Sequence, residues 1–416
     1  MKKIKIDVIA VPLSGHLYPI MDLVAPLLED DQYEIRLFTG ANKIEIAQAV
    51  GFRTVTIFPN DRNKIENVAN ASGKLTMVST YQQLSNGIDL TNEFSDALLV
   101  EWEKNRPDLV IADFITLSAG LVCEQLQIPW ITSMATQFAI ESTDGPPCFF
   151  GGWDNSRPIL NACGRKLTRL IKRMIFFSLR KKLERYNFKV YNQKNEETIY
   201  SPYSILSLGM KEVELKSGFP QHYIWAGPCC SSFEKEEEFP FALDKIQKKK
   251  VLVSCGTQIP WSKGHLIDIA KELGCVYSDY HFIVTLGNSK GNKLEQKNVA
   301  ENVTVVPYLP YNYYIPKMDY VIHHGGAGIF YNCIKYGKPA LILPHDYDQA
   351  DYAIRGKVAQ ISYRASRNNM AQIIKEFGKM IERSDWTALE ELQSQFPMYR
   401  PSETLKSEIK RILGNF

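Results

Sequence analysis

Short apolar runs alternate with helical stretches along most of the chain. Residues 4–11, 33–38 and 52–57 read as strands, and 17–28 and 41–50 as helices between them. This βαβαβ pattern predicts an α/β fold with a parallel, doubly wound sheet. Residues 107–114, 129–133, 205–208 and 223–225 read as further strands of the same series. A second series starts with 251–254 and continues through 282–284, 303–305, 320–322 and 340–343. A helix over 371–383 follows, and another over 403–413 after Pro401. The two series are not a detectable sequence repeat.

Three stretches break the rhythm. Residues 60–83 have no clear period and read as loop, followed by a helix through Leu98, Leu99 and Trp102. Residues 136–153 are rich in Phe, Gly and Pro, and loops of this kind on a rigid sheet often carry binding functions. Residues 231–250 hold Glu234, Glu236, Glu237 and Glu238, then Lys248, Lys249 and Lys250, a composition that reads as a linker. The sequence thus divides into a domain over 1–230, the linker 231–250, a second domain over 251–400, and a last helix in 401–416.

Composition narrows the class. The 416 residues are 45% hydrophobic and 23% charged, as in an ordinary water-soluble globular protein. A net charge of +3 gives no footprint for nucleic acid. Lys5 and Asp7 interrupt the apolar run after Met1, so no signal peptide is read there. The eight cysteines are scattered without a C-x-x-C pair, which suggests reduced, mostly buried thiols in a cytoplasmic protein. One segment is anomalous. Residues 165–189 contain ten Lys/Arg and a single acid, Glu184, with Leu167, Leu170, Ile171, Met174 and Phe177 among the apolar residues at helical spacing. A basic amphipathic helix can be a solvated face of the first domain, or can lie on an anionic membrane.

The chemistry concentrates at the predicted carboxyl ends of strands. In the second domain the strand 320–322 runs into His323, His324, Gly325, Gly326, Ala327 and Gly328. Glycines permit a sharp turn and close approach of an anion, and the helix expected over 329–336 would aim its amides and positive dipole end at it. After the next strand, a polar loop holds Asp346, Asp348 and Gln349, side chains suited to sugar hydroxyls. The turn after 251–254 adds Gly256 and Thr257 as further diphosphate contacts. A phosphate cradle beside a hydroxyl clamp suggests a nucleotide-sugar site. In the first domain, His16 follows the first strand and Asp113 ends the strand 107–114.

His324, Gly325, Gly326, Gly328, Gly337, Pro339, Pro344, Asp348 and Gln349 stand at the spacing of a known donor signature. The sequence resembles the GT-B nucleotide-sugar glycosyltransferases, the family of plant UDP-glycosyltransferases and bacterial antibiotic and sterol glycosyltransferases. Gly15, His16 and Pro19 match its Gly-His-x-x-Pro element, and Asp113 its partner aspartate. The resemblance implies two Rossmann-like domains facing across a cleft, with the final helix crossing back onto the first. It implies an inverting transfer of a hexose from a UDP-sugar, or a dTDP-sugar, to a hydroxyl of a small apolar or lipid-like acceptor. His16 would be the base and Asp113 its partner. His324, Gly325, Gly326, Gly328, Gly256 and Thr257 would hold the diphosphate, Tyr308, Leu309 and Asn332 the nucleoside, and Asp348 and Gln349 the sugar.

No cofactor or metal is required by that chemistry. The triplet Asp346-Tyr347-Asp348 is read as coincidental to the metal-binding Asp-x-Asp of GT-A enzymes, because the upstream glycines fit GT-B. Three positions depart from the family: Ile329 in place of a hydroxyl residue at the phosphates, Asn332 in place of a ribose-binding glutamate, and Tyr308 in place of a tryptophan. A nucleotide-sugar epimerase on the same fold, and a catalytically weak nucleotide-sugar-binding partner protein, are the alternatives. A dehydrogenase does not fit, since the first turn lacks G-x-G-x-x-G.

Overall fold

In a computed structural model of the chain, the structure describes residues 3–58, 61, 64–65, 77–230, 233, 242–256, 263–287, 297–346 and 348–414; the side chains of 77–84, 244 and 263 lie outside that description. Two seven-stranded sheets organise it. The first contains β1 (Ile4–Ile9), β2 (Tyr33–Gly40), β3 (Arg53–Ile57), β4 (Leu109–Asp113), β5 (Trp130–Met134), β6 (Ile205–Ser207) and β7 (Tyr223–Trp225), in the order β3-β2-β1-β4-β5-β6-β7. All its pairings are parallel. The second contains β8 (Lys249–Ser254), β9 (Tyr280–Thr285), β10 (Lys297–Ala300), β11 (Val303–Val306), β12 (Tyr320–His323), β13 (Ala340–Ile342) and β14 (Ser362–Arg364), in the order β10-β11-β9-β8-β12-β13-β14. Only the edge strand β10 runs antiparallel. Both are doubly wound sheets with Rossmann-like order, as the alternation of runs predicts.

The helices of the first half are α1 (Ser14–Val24), α2 (Ile44–Val50), α3 (Met77–Lys104), α4 (Leu117–Leu126) and α5 (Pro158–Leu179). The second half supplies α6 (Lys263–Val276), α7 (Tyr311–Tyr314), α8 (Ala327–Lys335), α9 (Gln349–Val358), α10 (Met370–Glu382) and α11 (Thr387–Gln395), and the chain continues into α12 (Pro401–Leu413). The inner strands are buried along most of their length: every residue of β4, β5 and β11 is buried. Each aliphatic side chain so buried contributes about 1.5–3 kcal/mol of transfer free energy.

Helix α12 does not belong to the second sheet. Leu405, Ile409 and Ile412 enter the same core as Leu17, Leu23 and Val24 of α1 and Ile6 and Val8 of β1. The Ser402 hydroxyl donates to the Leu23 carbonyl (2.8 Å), and Arg411 donates to the Tyr203 carbonyl (2.7 Å).

Several local expectations shift. Helix α1 starts at Ser14, so His16 lies in a first helical turn and not in the preceding loop. Helix α3 begins inside the stretch read as loop. The loop expected at Asp348 and Gln349 is the start of α9, with Asp348 at its N-cap. Half of the expected linker, and Thr257, lie outside the described residues. All eight cysteines are free thiols, five of them buried.

Candidate active site

Strands β1 and β4 are neighbours in register, Ile9 opposite Ala112, so both deliver their carboxyl ends to the same edge. His16 and Asp113 meet there. The His16 ring Nδ1 lies 3.0 Å from Asp113 Oδ2. The Asp113 side chain is almost fully buried, whereas His16 keeps about a fifth of its side chain accessible. A carboxylate acceptor on Nδ1 fixes a proton there and leaves Nε2 as the ring's free base. Phe114 stacks on the imidazole at 5.1 Å between ring centroids. Burial alone would depress the imidazole pKa, but the charge and hydrogen bond of Asp113, with the charge of Asp348, outweigh it and raise the value. That last contribution crosses the molecule, because Asp348 belongs to the second half.

The donor side is built around a seat for His324. Gly256 has φ +69°, and a Cβ there would stand 2.9 Å from the His324 ring. On the other side, a Cβ on Gly326 would meet the same ring at 2.5 Å. Two glycines therefore make room for one imidazole. Burial lowers the His324 pKa to about 4, with the Ser254 backbone acting in the opposite direction. The ring is neutral at pH 7 and can donate a hydrogen bond without carrying charge. Gly325 has φ +97° and lies so close to the Gln349 carbonyl that a Cβ would be 2.7 Å from it. His323 is buried beneath the turn and accepts the Gly325 N–H on Nδ1 (3.0 Å). Gly326 caps α8, whose first-turn amides have no intrahelical acceptor. Gly328 is exposed, with nothing within 4 Å of a Cβ position.

Asp348 and Gln349 are differently placed. Gln349 Oε1 accepts the backbone N–H groups of His345 (2.9 Å) and Asp346 (3.2 Å), so its carbonyl shapes the loop. Asp348 faces the first half. Burial pushes its carboxyl pKa up, opposed by a hydrogen bond from the Thr136 hydroxyl and by His16, and reinforced by Asp351.

The nucleoside candidates divide. Tyr308 is partly exposed, whereas Leu309 is buried with Leu252, Ile283 and Tyr314. Asn332 is buried, and its amide nitrogen donates to the carbonyls of Cys230 and Gly328 (both 2.8 Å), so it ties the helix to the end of the first half, while its Oδ1 has no partner among the described residues. Ile329 is in the same core as Leu309 at 2% exposure, so its side chain points away from the phosphate turn. Among the described residues no three His, Cys, Asp or Glu side chains gather where they could hold a metal ion.

Other residues were invisible from sequence because their partners are distant. Thr136 reaches Asp348 from the segment 136–153. The Lys216 ammonium is buried and donates to the carbonyls of Gln137 (2.7 Å), Phe138 (3.3 Å) and Ile140 (3.3 Å), holding the start of that segment. Arg355 of α9 lies 2.6 Å from Glu214 and 3.1 Å from Gln137 Oε1. The segment without periodicity is thus fixed by charged groups from two other regions. Gly151 packs so closely on α9 that a Cβ would be 3.0 Å from that of Ala350.

Residues 271–395 match the family described as erythromycin biosynthesis protein CIII-like, C-terminal domain. A protein of Bacillus subtilis (strain 168) described as an uncharacterized UDP-glucosyltransferase, YdhE, is 27% identical over 171 residues, 40% of this chain and 42% of that protein. The NDP-glycosyltransferase YjiC of the same strain is 22% identical over 360 residues, 84% of this chain and 81% of its own length. Among solved structures, the glycosyltransferase of kitacinnamycin superposes with a TM-score of 0.76 at 16% identity, covering 99% of both chains. Two doubly wound sheets, with the last helix returned to the first, are the GT-B fold. Over parts of its length the chain is similar to proteins described as UDP- and NDP-glycosyltransferases, and the first of these is matched over 42% of its own length.

Proposed function

We propose that the chain moves a hexose from a UDP-sugar, with a dTDP-sugar as the alternative donor, onto a hydroxyl of a small apolar or lipid-like acceptor. The observation that carries this reading is the His16–Asp113 pair on one half, with Asp348 of the other half acting on the same imidazole.

The acceptor hydroxyl gives its proton to His16 Nε2 as its oxygen bonds to the anomeric carbon. The bond from that carbon to the diphosphate breaks, and the nucleotide leaves with the electron pair. Displacement from the opposite face inverts the anomeric configuration. Asp113 holds the ring in the required tautomer and compensates the imidazolium that forms, a role logic shared with hydrolase triads. The amides at the start of α8, its dipole and the neutral His324 would stabilise the departing diphosphate. Gly256 serves by seating His324, and Asp348 and the amide nitrogen of Gln349 are the groups for the sugar hydroxyls. Tyr308 is the partly exposed group available to the base, with Leu309 buried behind it. The basic segment 165–189 gives the protein a peripheral contact with a membrane.

The test measures nucleotide affinity and transfer rate in the same preparations. His16→Ala should still bind UDP or dTDP while transfer collapses. A His16→Ala protein that glycosylates a weakly acidic alcohol at near wild-type rate overturns the base assignment. A product with retained anomeric configuration overturns the single displacement, and activity lost in EDTA and restored by manganese overturns metal independence.

A further inference from the structure

The ten cations of 165–189 sort into two groups. Arg165, Arg169, Lys172, Lys182 and Arg185 face acids of their own domain: Asp144, Glu141, Glu197, Asp89 and Asp96. Lys166, Arg173, Arg180, Lys181 and Lys189 are exposed, and none is in an ion pair among the described residues, although Glu184 borders the same hollow as Lys181. The first group accounts for charge that the domain itself neutralises. The second does not.

Helix α5 shows why the second group matters. Pro158 sits at its first position, where a missing N–H costs nothing, and Asn187 at φ 48° ends the 3₁₀ continuation 180–186. Asn161, Gly164, Thr168, Lys172 and Leu179 form its buried side. The opposite side is apolar and bare. Ile159 is 81% exposed, Met174 63% and Phe177 66%, and Leu160, Leu167, Leu170 and Ile171 accompany them. Half of the exposed large hydrophobic residues among those described lie on this one helix. At 100° per residue they form a continuous stripe, and Lys166 and Arg173, seven residues apart, run along its edge. Arg173 and Arg180 also border a hollow of about 440 Å³ lined by Phe176, Leu183 and Phe188.

We propose that this outer face of α5, with Lys166, Arg173, Arg180 and Lys181, is a docking surface for an anionic lipid bilayer. This rests on the peripheral contact stated above and narrows it to one face and one lipid charge. The stripe would enter the boundary between headgroups and acyl chains, and the unneutralised cations would meet lipid phosphates. Charge complementarity selects the bilayer over an uncharged apolar partner: a stripe meant for a neutral surface has no use for a row of exposed cations at its edge.

The experiment is co-sedimentation of the full chain with phosphatidylglycerol vesicles and, separately, with phosphatidylcholine vesicles, without nucleotide. The wild type should bind the anionic vesicles and release in high salt. Replacing Lys166, Arg173, Arg180 and Lys181 together by Gln should lower the partition coefficient by nearly three orders of magnitude, at roughly fivefold per cation. Met174→Ser with Phe177→Ser should lower it too, while Lys182→Gln with Arg185→Gln, from the paired group, should leave it near wild type. Because the altered residues of the first two variants are exposed, circular dichroism should show unchanged folds, and transfer to a water-soluble acceptor should be unchanged. Absence of wild-type binding to either vesicle overturns the membrane contact itself. Binding that survives in both the Gln and the Ser variants overturns this face and leaves some other contact. Equal binding to both lipids overturns the role of charge. A wild-type dimer that Phe177→Ser dissociates would mean that the stripe covers a second copy, and would also overturn the proposal.

Discussion

The guanidinium of Arg355, on α9 of the second half, lies 2.6 Å from the Glu214 carboxylate of the first. Asp351, one helical turn earlier, completes the group at 2.6 Å from the same guanidinium, and all three side chains are almost wholly inaccessible. Removing one member of such a buried set strands the others without compensation, typically at about 3–5 kcal/mol. Arg355→Met should therefore lower the urea midpoint strongly, and Arg355→Met combined with Glu214→Gln should lower it by less than the two single losses together. Strict additivity in that cycle would show that the two groups are not coupled.

The catalytic pair should be legible in the pH profile. Since His16 titrates above its ordinary 6.5, the rate should rise with pH through a value higher than that. Asp113→Asn removes the charge that raises it, so the rising limb should move to lower pH while the plateau falls. His16→Ala should reduce transfer by about 10²–10⁴-fold. A limb unmoved by Asp113→Asn would mean that another group is being titrated.

The same shift has a consequence for stability with the opposite sign. An imidazole whose folded pKa exceeds its unfolded one stabilises the fold fully below the unfolded value, near 6.5, and this stabilisation is lost as pH rises through the folded value. Rate and this part of the stability should therefore run in opposite directions across one pH window. Comparing wild type with His16→Ala by denaturant titration from pH 5.5 to 9 measures it; a difference that does not change with pH would contradict the pairing.

Gly325→Ala should damage the donor side from the backbone. At φ +97° a side chain is strained, and its Cβ would fall 2.7 Å from the Gln349 carbonyl. The start of α9, which carries Asp348, must shift to relieve it. Affinity for a UDP-sugar should fall more than affinity for UDP, which isothermal titration of both ligands would check.

Ile329→Thr reverses an expectation drawn from the family pattern, in which a hydroxyl there would add a contact to the phosphates. The side chain is buried with Val321, Val306 and Leu309. A threonine would place a hydroxyl in that core and remove a packed methylene, a change of about 1–3 kcal/mol. The melting temperature should drop and donor affinity should not improve.

Much of this was readable from sequence, for identifiable reasons. Parallel strands buried on both faces must be apolar throughout, so the runs ending at His323 and at Asp113 announce themselves. Side chains at the ends of such strands, His16 included, share one edge because the sheet is parallel. Gly256 and Gly326 were legible as turn glycines, but their joint seating of the His324 ring was not, since Gly256 comes from a strand about seventy residues earlier. The roles of Lys216, Arg355 and Thr136 depend on contacts across the molecule that no local pattern encodes. The tie from Asn332 to Cys230 was hidden for a related reason: family spacing located Asn332, but Cys230 lies beyond the reach of a motif.

Helix α12 also sets an order of events during synthesis. The core around α1 and β1 is completed by Leu405, Ile409 and Ile412, which the ribosome releases only after the whole second sheet. The first half must therefore wait, with an open groove beside α1, until its last piece arrives, while the second sheet can close its own core earlier. The amino-terminal half of this chain is made first and finished last.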